Sequence, residues 1–125
     1  MENIYITTPI YYVNDKPHVG HAYTSVACDA LARFYRLKGY EVFFLTGTDE
    51  HWLKIQQAAE QKEVTTQTFV DDMSTNFQNL TQILNLTNDD FIRTSSDRHI
   101  AGVMKFCEIF STNYQIYLDK YSGWY

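Results

Sequence analysis

The order of apolar and polar positions near the start of the chain predicts a strand, a helix and a second strand. Residues 4–8 are rich in β-branched side chains, which predicts a strand that ends at Pro9. From Pro17, which suits the first position of a helix, apolar residues recur every three or four positions up to Gly39, a glycine stop. The predicted apolar stripe consists of Ala22, Val26, Ala27, Ala30, Leu31, Phe34 and Tyr35. Residues 42–46 are continuously apolar, as in a strand that is buried on both faces.

This order predicts a βαβ unit with parallel strands and a right-handed crossover. A helix is predicted to begin after Asp49 and to run to about Lys62, and a second one begins near residues 65–66. Residues 91–94 predict a third short strand, Asp97 is a candidate cap for a last helix, and residues 121–125 look like another strand. The fold class is therefore α/β with a Rossmann-like parallel sheet, of which we expect only the first half.

Composition narrows the class of protein further. Of 125 residues, 45% are apolar and 20% are charged, which is typical of a packed domain and not of a disordered chain. The two cysteines lie far apart, and their spacing is not that of metal ligands. The sequence contains no apolar run of about 18 residues, the length needed to span a membrane. No secretion signal is visible. We therefore expect a cytoplasmic protein. The net charge of −5 disfavours direct binding of nucleic acid by this segment.

Two polar segments follow the predicted strands, at the edge of a parallel sheet where ligands bind. The first runs from Pro9 to His21 and the second covers residues 46–51. Within the first, His18 and His21 are three residues apart and share a face at the helix N-terminus, an end that attracts phosphate. Gly20 lets a flat group approach the backbone. The segment is therefore a candidate phosphate site, although its spacing is not that of a Walker or G-x-G-x-x-G loop.

Other interpretations of the same residues stay open at this point. His18 and His21 could be exposed polar residues of a first turn, or they could bind a divalent metal together with Asp49 or His51, although no zincin spacing occurs. Carboxylates directly after the second strand could cap a helix and need no ligand. Of the apolar candidates, Ile10 is most simply a core residue, and the two tyrosines that follow it are most simply partly buried wall residues.

Three ungapped blocks occur in one order. Residues 7–21 read Thr-Thr-Pro-Ile-Tyr-Tyr-Val-Asn-Asp-Lys-Pro-His-Val-Gly-His, residues 43–51 read Phe-Phe-Leu-Thr-Gly-Thr-Asp-Glu-His, and residues 91–94 read Phe-Ile-Arg-Thr. Together they resemble the methionyl-tRNA synthetase family of class I aminoacyl-tRNA synthetases, over about residues 4–99. Related families share the His-x-Gly-His core but not the flanking Pro-Ile-Tyr-Tyr and Thr-Gly-Thr-Asp-Glu-His.

The resemblance implies a methionine-tRNA ligase, which activates methionine with ATP and Mg²⁺ and transfers it to tRNA(Met) in protein synthesis. By position, residues 18–21 match the family's HIGH signature, so His18, Gly20 and His21 would bind ATP. The two histidines would also stabilise the transition state at the α-phosphate. Ile10 and Tyr12 would line the pocket for the methionine side chain, and Asp49 would hold its α-ammonium group. A thioether suits an apolar, aromatic wall, and an ammonium group suits a carboxylate.

The chain also departs from the family pattern. Trp52 stands where the family has glycine, which puts the shape of the pocket in question, and no lysine-rich KMSKS signature occurs. We expect residues 1–116 to be the N-terminal half of the catalytic domain and residues 117–125 to begin the connective insertion. Any zinc knuckle and the main tRNA-binding parts would lie beyond Tyr125, so the isolated chain should be inactive. The alternative is a non-catalytic nucleotide-binding or interaction module derived from a synthetase.

Overall fold

A computed structural model of the chain describes residues 2–51, 53–113, 115–120 and 122, and it divides into two compact units, residues 1–95 and 96–125. The strands of the first unit are β1 (Asn3–Thr7), β2 (Tyr11–Tyr12), β3 (Glu41–Asp49) and β4 (Asp90–Arg93). Its helices are α1 (Val19–Leu37), α2 (Leu53–Gln61) and α3 (Thr66–Ile83). The second unit contains α4 (Asp97–Thr112). The predicted strand at 121–125 falls on positions of which all but Ser122 lie outside the described residues.

All three neighbours of β3 run parallel to it, so the predicted α/β fold with a parallel sheet is confirmed. Strand β1 pairs with the first half of β3, and α1 connects the two strands. Leu45 is paired with Thr7 on one side and with Asp90 on the other. The second half of β3 is therefore flanked by β4, and the sheet directs the carboxyl ends of its strands toward one edge, where ligands bind in such folds.

Strand β1 ends at Thr7, before Pro9, as the sequence predicted, and a two-residue strand, β2, resumes the pairing with β3 after Pro9. Thr7 is paired with Leu45, whereas Tyr11 is paired with Thr48. The segment from Thr7 to Tyr11 therefore holds one residue more than the segment of β3 opposite it. Such an extra residue is a β-bulge, and it turns the side chains around it out of their regular positions. Proline fits at a bulge because it has no N–H to donate to the ladder. The interruption separates β1 from β2 just before α1 begins.

The main core of the first unit lies where α2 and α3 pack against the carboxyl-end half of the sheet. Its buried members are Tyr11, Val13, Ile55, Ala59, Phe69, Val70, Met73 and Phe77. Helix α3 begins as predicted, since the Thr65 hydroxyl accepts a hydrogen bond from the Thr68 N–H at 3.1 Å. The third predicted strand is also present, one residue earlier than expected, as β4.

The prediction that residues 42–46 are buried on both faces is wrong. Phe44 is fully buried, but its neighbour Phe43 is 47% exposed and stacks on Tyr5, with ring centroids 6.0 Å apart. The two rings lie on one face of the sheet because Tyr5 and Phe43 are paired across β1 and β3. An apolar run can therefore belong to a strand with a single covered face, because aromatic pairs on the other face shield one another.

The predicted apolar stripe of α1 is also wrong, because another face of the helix is buried. The buried residues are Ser25, Asp29 and Ala32, whereas Val26 and Phe34 are about half exposed. Both polar residues are hydrogen-bonded to distant parts of the unit, which makes their burial possible. The prediction failed because it weighed only the apolar character of each position.

Both ends of α1 show why it begins and ends where it does. The helix starts at Val19, two residues later than predicted, and the extended residue His18 is its N-cap. At the other end Gly39 has φ +86°, a left-handed conformation that glycine adopts without strain. Its N–H donates to the carbonyl of Arg36, and the next N–H, of Tyr40, donates to Tyr35. These two bonds form a Schellman motif, so the predicted glycine stop is confirmed.

Helix α4 of the second unit is present, but its predicted cap is wrong. Ser96 occupies the N-cap position, without a side-chain capping bond, and Asp97 lies in the first turn, where a carboxylate interacts favourably with the helix dipole. Within the described residues of α4 no side chain is fully buried. Of the helices described, none combines the length and the apolar character needed to cross a membrane.

Candidate functional site

A cleft of about 550 Å³ follows the segment from the bulge after β1 to the first turn of α1. It is lined by Pro9, Ile10, Tyr11, Tyr12, Asn14, Asp15, Lys16, His18 and His21. The cleft thus contains four of the six residues to which the sequence assigned a role, and it lies at the carboxyl end of the first strand. Asp49 and Gly20 adjoin this set but are not among the lining residues.

Ile10 and Tyr12 form an apolar and aromatic part of the cleft wall. Ile10 is 43% exposed and Tyr12 is 53% exposed, so the simple interpretation of Ile10 as a core residue is wrong. The bulge explains the exposure, because it releases Ile10 from the regular alternation of the strand. Tyr11 between them points the other way and is buried. The wall therefore exposes part of two side chains, one apolar and one aromatic, toward the cleft.

His18 and His21 cap the first turn of α1 for one another. The N–H of Gly20 donates to Nδ1 of His18, and the N–H of His18 donates to Nδ1 of His21, both at 3.1 Å. This is the reciprocal arrangement of a capping box, built here from two imidazoles. Their ring centroids lie 3.9 Å apart with an angle of 32° between the planes. The predicted alignment of the two rings at the helix N-terminus is thus present.

These bonds select one form of each imidazole. An Nδ1 atom that accepts a hydrogen bond carries no proton, so each neutral ring holds its proton on Nε2. Burial, and next the positive charge that His18 can carry, lower the pKa of His21 below its ordinary value of 6.5. Because both Nδ1 atoms accept capping bonds, the helix N-terminus presents Nε2–H donors, which suit phosphoryl oxygens.

Gly20 leaves room for the imidazole of His18. A Cβ atom at this position would lie 2.9 Å from Cε1 and 3.1 Å from Nδ1 of the His18 ring, so the ring would have to shift. The flat group that the glycine admits in this structure is therefore the His18 imidazole itself. A side chain at this position would therefore displace the ring from its present place over the turn.

Tyr11 is a supporting residue whose function the sequence did not reveal. Its hydroxyl shares a 3.0 Å hydrogen bond with the hydroxyl of Ser25, and its ring meets the His21 ring edge-on at 4.8 Å. Phe77 of α3 packs against both rings, with centroids 5.1 Å from His21 and 5.8 Å from Tyr11. His21 is thus held from the core side. Side chains alternate between the two faces of a strand, so the sequence could have indicated that only one of Tyr11 and Tyr12 faces the cleft.

Asp49 ends β3 beside the cleft. It is the partner of Tyr12 in the parallel pairing of β2 with β3, so the two side chains emerge on the same face of the sheet. Its Oδ1 accepts a hydrogen bond from the N–H of His51 at 3.4 Å, and the residue is half-buried. The structure thereby brings together the two predicted binding residues from different strands.

The neighbouring Glu50 is buried and fully bonded. Arg93 donates to both of its carboxylate oxygens at 2.9 Å, Thr48 donates at 2.7 Å, and Ser95 also donates to it. Burial alone would raise the pKa of Glu50, but the bonds from Arg93, Ser95 and Thr48 outweigh it and hold the pKa below its ordinary value. Local sequence patterns do not indicate this cluster, because Arg93 lies 43 positions from Glu50 along the chain.

The structure does not support the alternative of a metal site. Among the described residues no three histidine, cysteine, aspartate or glutamate side chains form a group that could hold a metal ion. His51, one of the two residues that could have completed such a site, shares a 3.0 Å hydrogen bond between its Nε2 and the carbonyl of Thr94. Trp52, whose effect on the pocket was in question, lies outside the described residues.

Comparison with known protein families and sequences gives matches over nearly the whole chain. Residues 4–125 match the family model of tRNA synthetases class I (M). The methionine–tRNA ligase of Mesorhizobium japonicum is 53% identical over 124 residues, 99% of this chain but 24% of that protein. That of Bacillus subtilis is 54% identical over 121 residues, 97% of this chain and 18% of that protein. The chain thus spans a quarter or less of the length of these relatives.

Solved structures agree with this result. The Mycobacterium tuberculosis methionyl-tRNA synthetase in complex with methionyl-adenylate superimposes with a TM-score of 0.94 at 48% identity, over 100% of this chain and 25% of that chain. The leucyl-tRNA synthetase of Agrobacterium radiobacter, in a ternary complex with tRNA, gives a TM-score of 0.76 at 21% identity, over 93% of this chain and 15% of that chain. The second match shows a shared fold alone.

Proposed function

This chain belongs to the class I tRNA synthetases (M), and from that membership we propose that it forms part of a methionine–tRNA ligase. The enzyme would activate methionine with ATP, releasing pyrophosphate and forming methionyl-adenylate, and then transfer the methionyl group to tRNA(Met). The observation that carries the proposal is one cleft that joins a pair of Nε2–H donors, an apolar and aromatic wall and an adjacent carboxylate. These are the groups that ATP and methionine need.

The histidine pair is assigned to ATP. The methionine carboxylate is itself a competent nucleophile toward the α-phosphorus of ATP, so the protein has to position the reactants and offset charge, as in other phosphoryl transfers. His18 and His21, fixed by their mutual cap, would donate from Nε2 to phosphoryl oxygens whose charge grows in the transition state. Gly20 serves the same site by admitting the His18 ring.

The wall and the carboxylate are assigned to methionine. Ile10 and Tyr12 would contact the thioether side chain, which makes few polar demands. Asp49, beside Tyr12 on the neighbouring strand, would accept hydrogen bonds from the α-ammonium group. The separation of an apolar wall from a single charged group matches the shape of this amino acid, with its polar end and its apolar chain.

The remaining participants follow from the reaction. ATP would enter as its Mg²⁺ complex, methionine and tRNA(Met) would be the other substrates, and the cytoplasm would be the place of action. We expect little direct contact between this segment and tRNA, given its net charge of −5. No zinc site is proposed for the part of the chain that the structure describes, because no suitable ligand group occurs there.

The proposal is tested by methionine-dependent exchange of pyrophosphate into ATP, measured on the complete polypeptide that carries this chain. Asp49→Asn should raise the KM for methionine by roughly tenfold or more, because a hydrogen bond to a charged group is worth about 1.5–3 kcal/mol, and it should leave the KM for ATP unchanged. Asp72→Asn, a change at an exposed aspartate of α3, is the matched control.

A complete polypeptide without methionine-dependent exchange would refute the proposed function. Exchange that survives with an unchanged methionine KM in Asp49→Asn would refute the assignment of the ammonium group alone. Residues 1–125 by themselves should bind ATP weakly at best and form no methionyl-adenylate, because they lack the lysine-rich signature of the family.

A further inference from the structure

The carboxylate of Glu50 has no capacity left for a ligand. Its side chain is 0% exposed, and four hydrogen bonds reach its two oxygens. Oε1 accepts from Thr48 Oγ1 and Arg93 Nε, while Oε2 accepts from Arg93 Nη2 and Ser95 Oγ. A carboxylate offers about four acceptor positions, so all of them are occupied. Of the two consecutive acids, Glu50 is therefore committed to the protein.

The backbone around Glu50 is fastened to the segment after β4 as well. The N–H of Glu50 donates to Oγ1 of Thr94 at 2.8 Å, and the N–H of Thr94 donates to the carbonyl of Thr48 at 3.2 Å. The imidazole of His51 is bonded to the carbonyl of Thr94. Residues on both sides of Asp49 are thus held by the carboxyl end of β4, which leaves the Asp49 backbone little freedom to rotate.

Asp49 itself faces the other way. Thr48 and Glu50 are buried and bonded to each other, whereas Asp49 between them is half-buried and paired with Tyr12 of the cleft wall. Alternation along the strand places its side chain opposite to those of its two neighbours. The direction of the Asp49 carboxylate is therefore set by where Thr48 and Glu50 are anchored.

We propose that the Glu50 cluster, defined as Thr48, Glu50, Asp71, Arg93 and Ser95, positions Asp49 for the α-ammonium group of methionine. This inference rests on the proposed function and deepens it. Glu50 and Arg93 are positioning residues, since neither reaches the cleft, and they act through the backbone of residues 48–51. Arg93 is in turn oriented by Asp71 of α3, to which it donates at 2.6 Å.

Charge adds a second reason for the arrangement. The guanidinium group of Arg93 neutralises Glu50 by a bidentate pair, the strongest geometry available between these groups. An ammonium group that enters beside two carboxylates is thereby attracted to Asp49 and not drawn toward Glu50. Without Arg93, the negative charge of Glu50 would not be neutralised, and it would compete with Asp49 for the ammonium group of the substrate.

The test compares the Glu50 cluster with a matched carboxylate elsewhere in the fold. Asp29 is similarly buried and also bonded to an arginine and a threonine, but it lies on α1 outside the cleft. In the complete polypeptide, Glu50→Gln should raise the methionine KM by roughly tenfold to a hundredfold, the effect expected of a small displacement of a binding group. Asp29→Asn should leave the methionine KM unchanged, and neither variant should alter the KM for ATP.

Two milder variants keep the test decisive if Glu50→Gln fails to fold. Arg93→Lys keeps the charge but loses the bidentate fork, and Ser95→Ala removes a single donor to Glu50. Both should raise the methionine KM, in the order Ser95→Ala below Arg93→Lys below Glu50→Gln. A role in stability alone would instead lower kcat through the fraction of folded enzyme, equally for Glu50→Gln and Asp29→Asn, and would leave every KM unchanged.

A ligand without the ammonium group makes the test specific. 4-Methylsulfanylbutanoate is methionine that lacks its α-amino group, and its inhibition constant against exchange should be the same in wild type and in all three cluster variants. Equal methionine KM values in Glu50→Gln and Asp29→Asn, or equal losses for methionine and the analogue, would overturn this inference while the function stands. A wild-type polypeptide without exchange would overturn the function and the inference together.

Discussion

Two buried carboxylates of the first unit use the same chemistry at opposite ends of β4. Asp29 of α1 accepts hydrogen bonds from the N–H and the hydroxyl of Thr87 and from Nε of Arg33, each at 2.6 Å. Glu50 accepts from a threonine, a serine and an arginine. We define the Asp29 cluster as Asp29, Arg33, Arg36, Thr87 and Asp89. The two members nearest to β4 in the sequence precede this strand, whereas most of the Glu50 cluster surrounds the carboxyl end of β4.

The difference between the clusters is their place in the sheet. Arg36 of the Asp29 cluster donates to Asp89, whose carboxylate accepts from the N–H of Phe44, so this cluster joins α1 to the middle of β3 and to the loop before β4. The Glu50 cluster joins the end of β3 to the end of β4, where ligands of parallel sheets bind. A buried, hydrogen-bonded carboxylate is therefore no sign of a functional site by itself. Its position relative to the strand ends decides what it supports.

The largest contrast is expected from removal of one arginine in each cluster. Arg93→Met would leave the fully buried Glu50 without its bidentate partner, and loss of one partner of a buried pair costs about 3–5 kcal/mol. Arg33→Met should cost about 1 kcal/mol or less, because Arg33 is 45% exposed and Asp29 keeps both bonds from Thr87. The free energies of unfolding from urea denaturation measure the difference, and equal losses would show that the two clusters are energetically alike.

A smaller effect tests whether the clusters act independently. Ser95→Ala and Thr87→Val each remove one hydroxyl, which costs about 1 kcal/mol per hydrogen bond. Thr87→Val should cost more, because this hydroxyl both donates to Asp29 and accepts from Arg36. Asp89, just before β4, and Arg93, its last residue, belong to different clusters and lie four positions apart, or roughly 13 Å, so the double variant should lose the sum of the two. A double variant that loses clearly more or less than the sum would show coupling along β4.

Sequence patterns predicted the elements of this fold better than they predicted which faces are buried. Strand, helix and strand were recognised from local runs and from Gly39, because caps and periodicity are local properties. The buried face of α1 was not, since Asp29 is stabilised by Thr87, a partner 58 positions away. Nor was the bulge at Pro9, because register against β3 is a property of two strands. Burial of polar residues depends on distant partners that no local pattern contains.

The same limit divides the candidate site. The histidine pair and Asp49 were indicated by their positions at a helix N-terminus and a strand end, and the resemblance to a known family added Ile10 and Tyr12. Tyr11 and Arg93 were missed, although each orients a candidate residue or its neighbour. Their functions depend on contacts with Phe77 and Glu50, which the chain brings together only when it is folded. The residues proposed to face a ligand carry local signals, whereas the contacts that support them form only in the folded chain, even where alternation along a strand could have separated Tyr11 from Tyr12.

The smallest effect is expected from a change of pH. It should distinguish the cap formed by His18 and His21, at the carboxyl-end side of the sheet, from the Asp29 cluster. The folded chain lowers the pKa of His21 below its ordinary value of 6.5, so the fold favours the neutral ring. The stability that the cap contributes is therefore complete above pH 6.5 and is lost as the pH falls through the lower pKa of the folded state. For Asp29, burial alone would raise the pKa, but bonds from Thr87 and Arg33 hold it below 3.8. Its contribution is complete above pH 3.8 and is lost only below that value.

Two backbone amides report these transitions separately. The N–H of His18 donates to Nδ1 of His21, which becomes a donor on protonation, and the N–H of Thr87 donates to Asp29. In a pH titration followed by ¹⁵N–¹H NMR, the His18 amide should shift with a midpoint below 6.5, while the Thr87 amide stays constant until the pH falls below 3.8. His21→Asn should abolish the first transition and leave the second unchanged. A Thr87 amide that shifted with the titration of His21 would show that the histidine cap and the Asp29 cluster are coupled. This result would contradict the independence that their separation in the structure predicts.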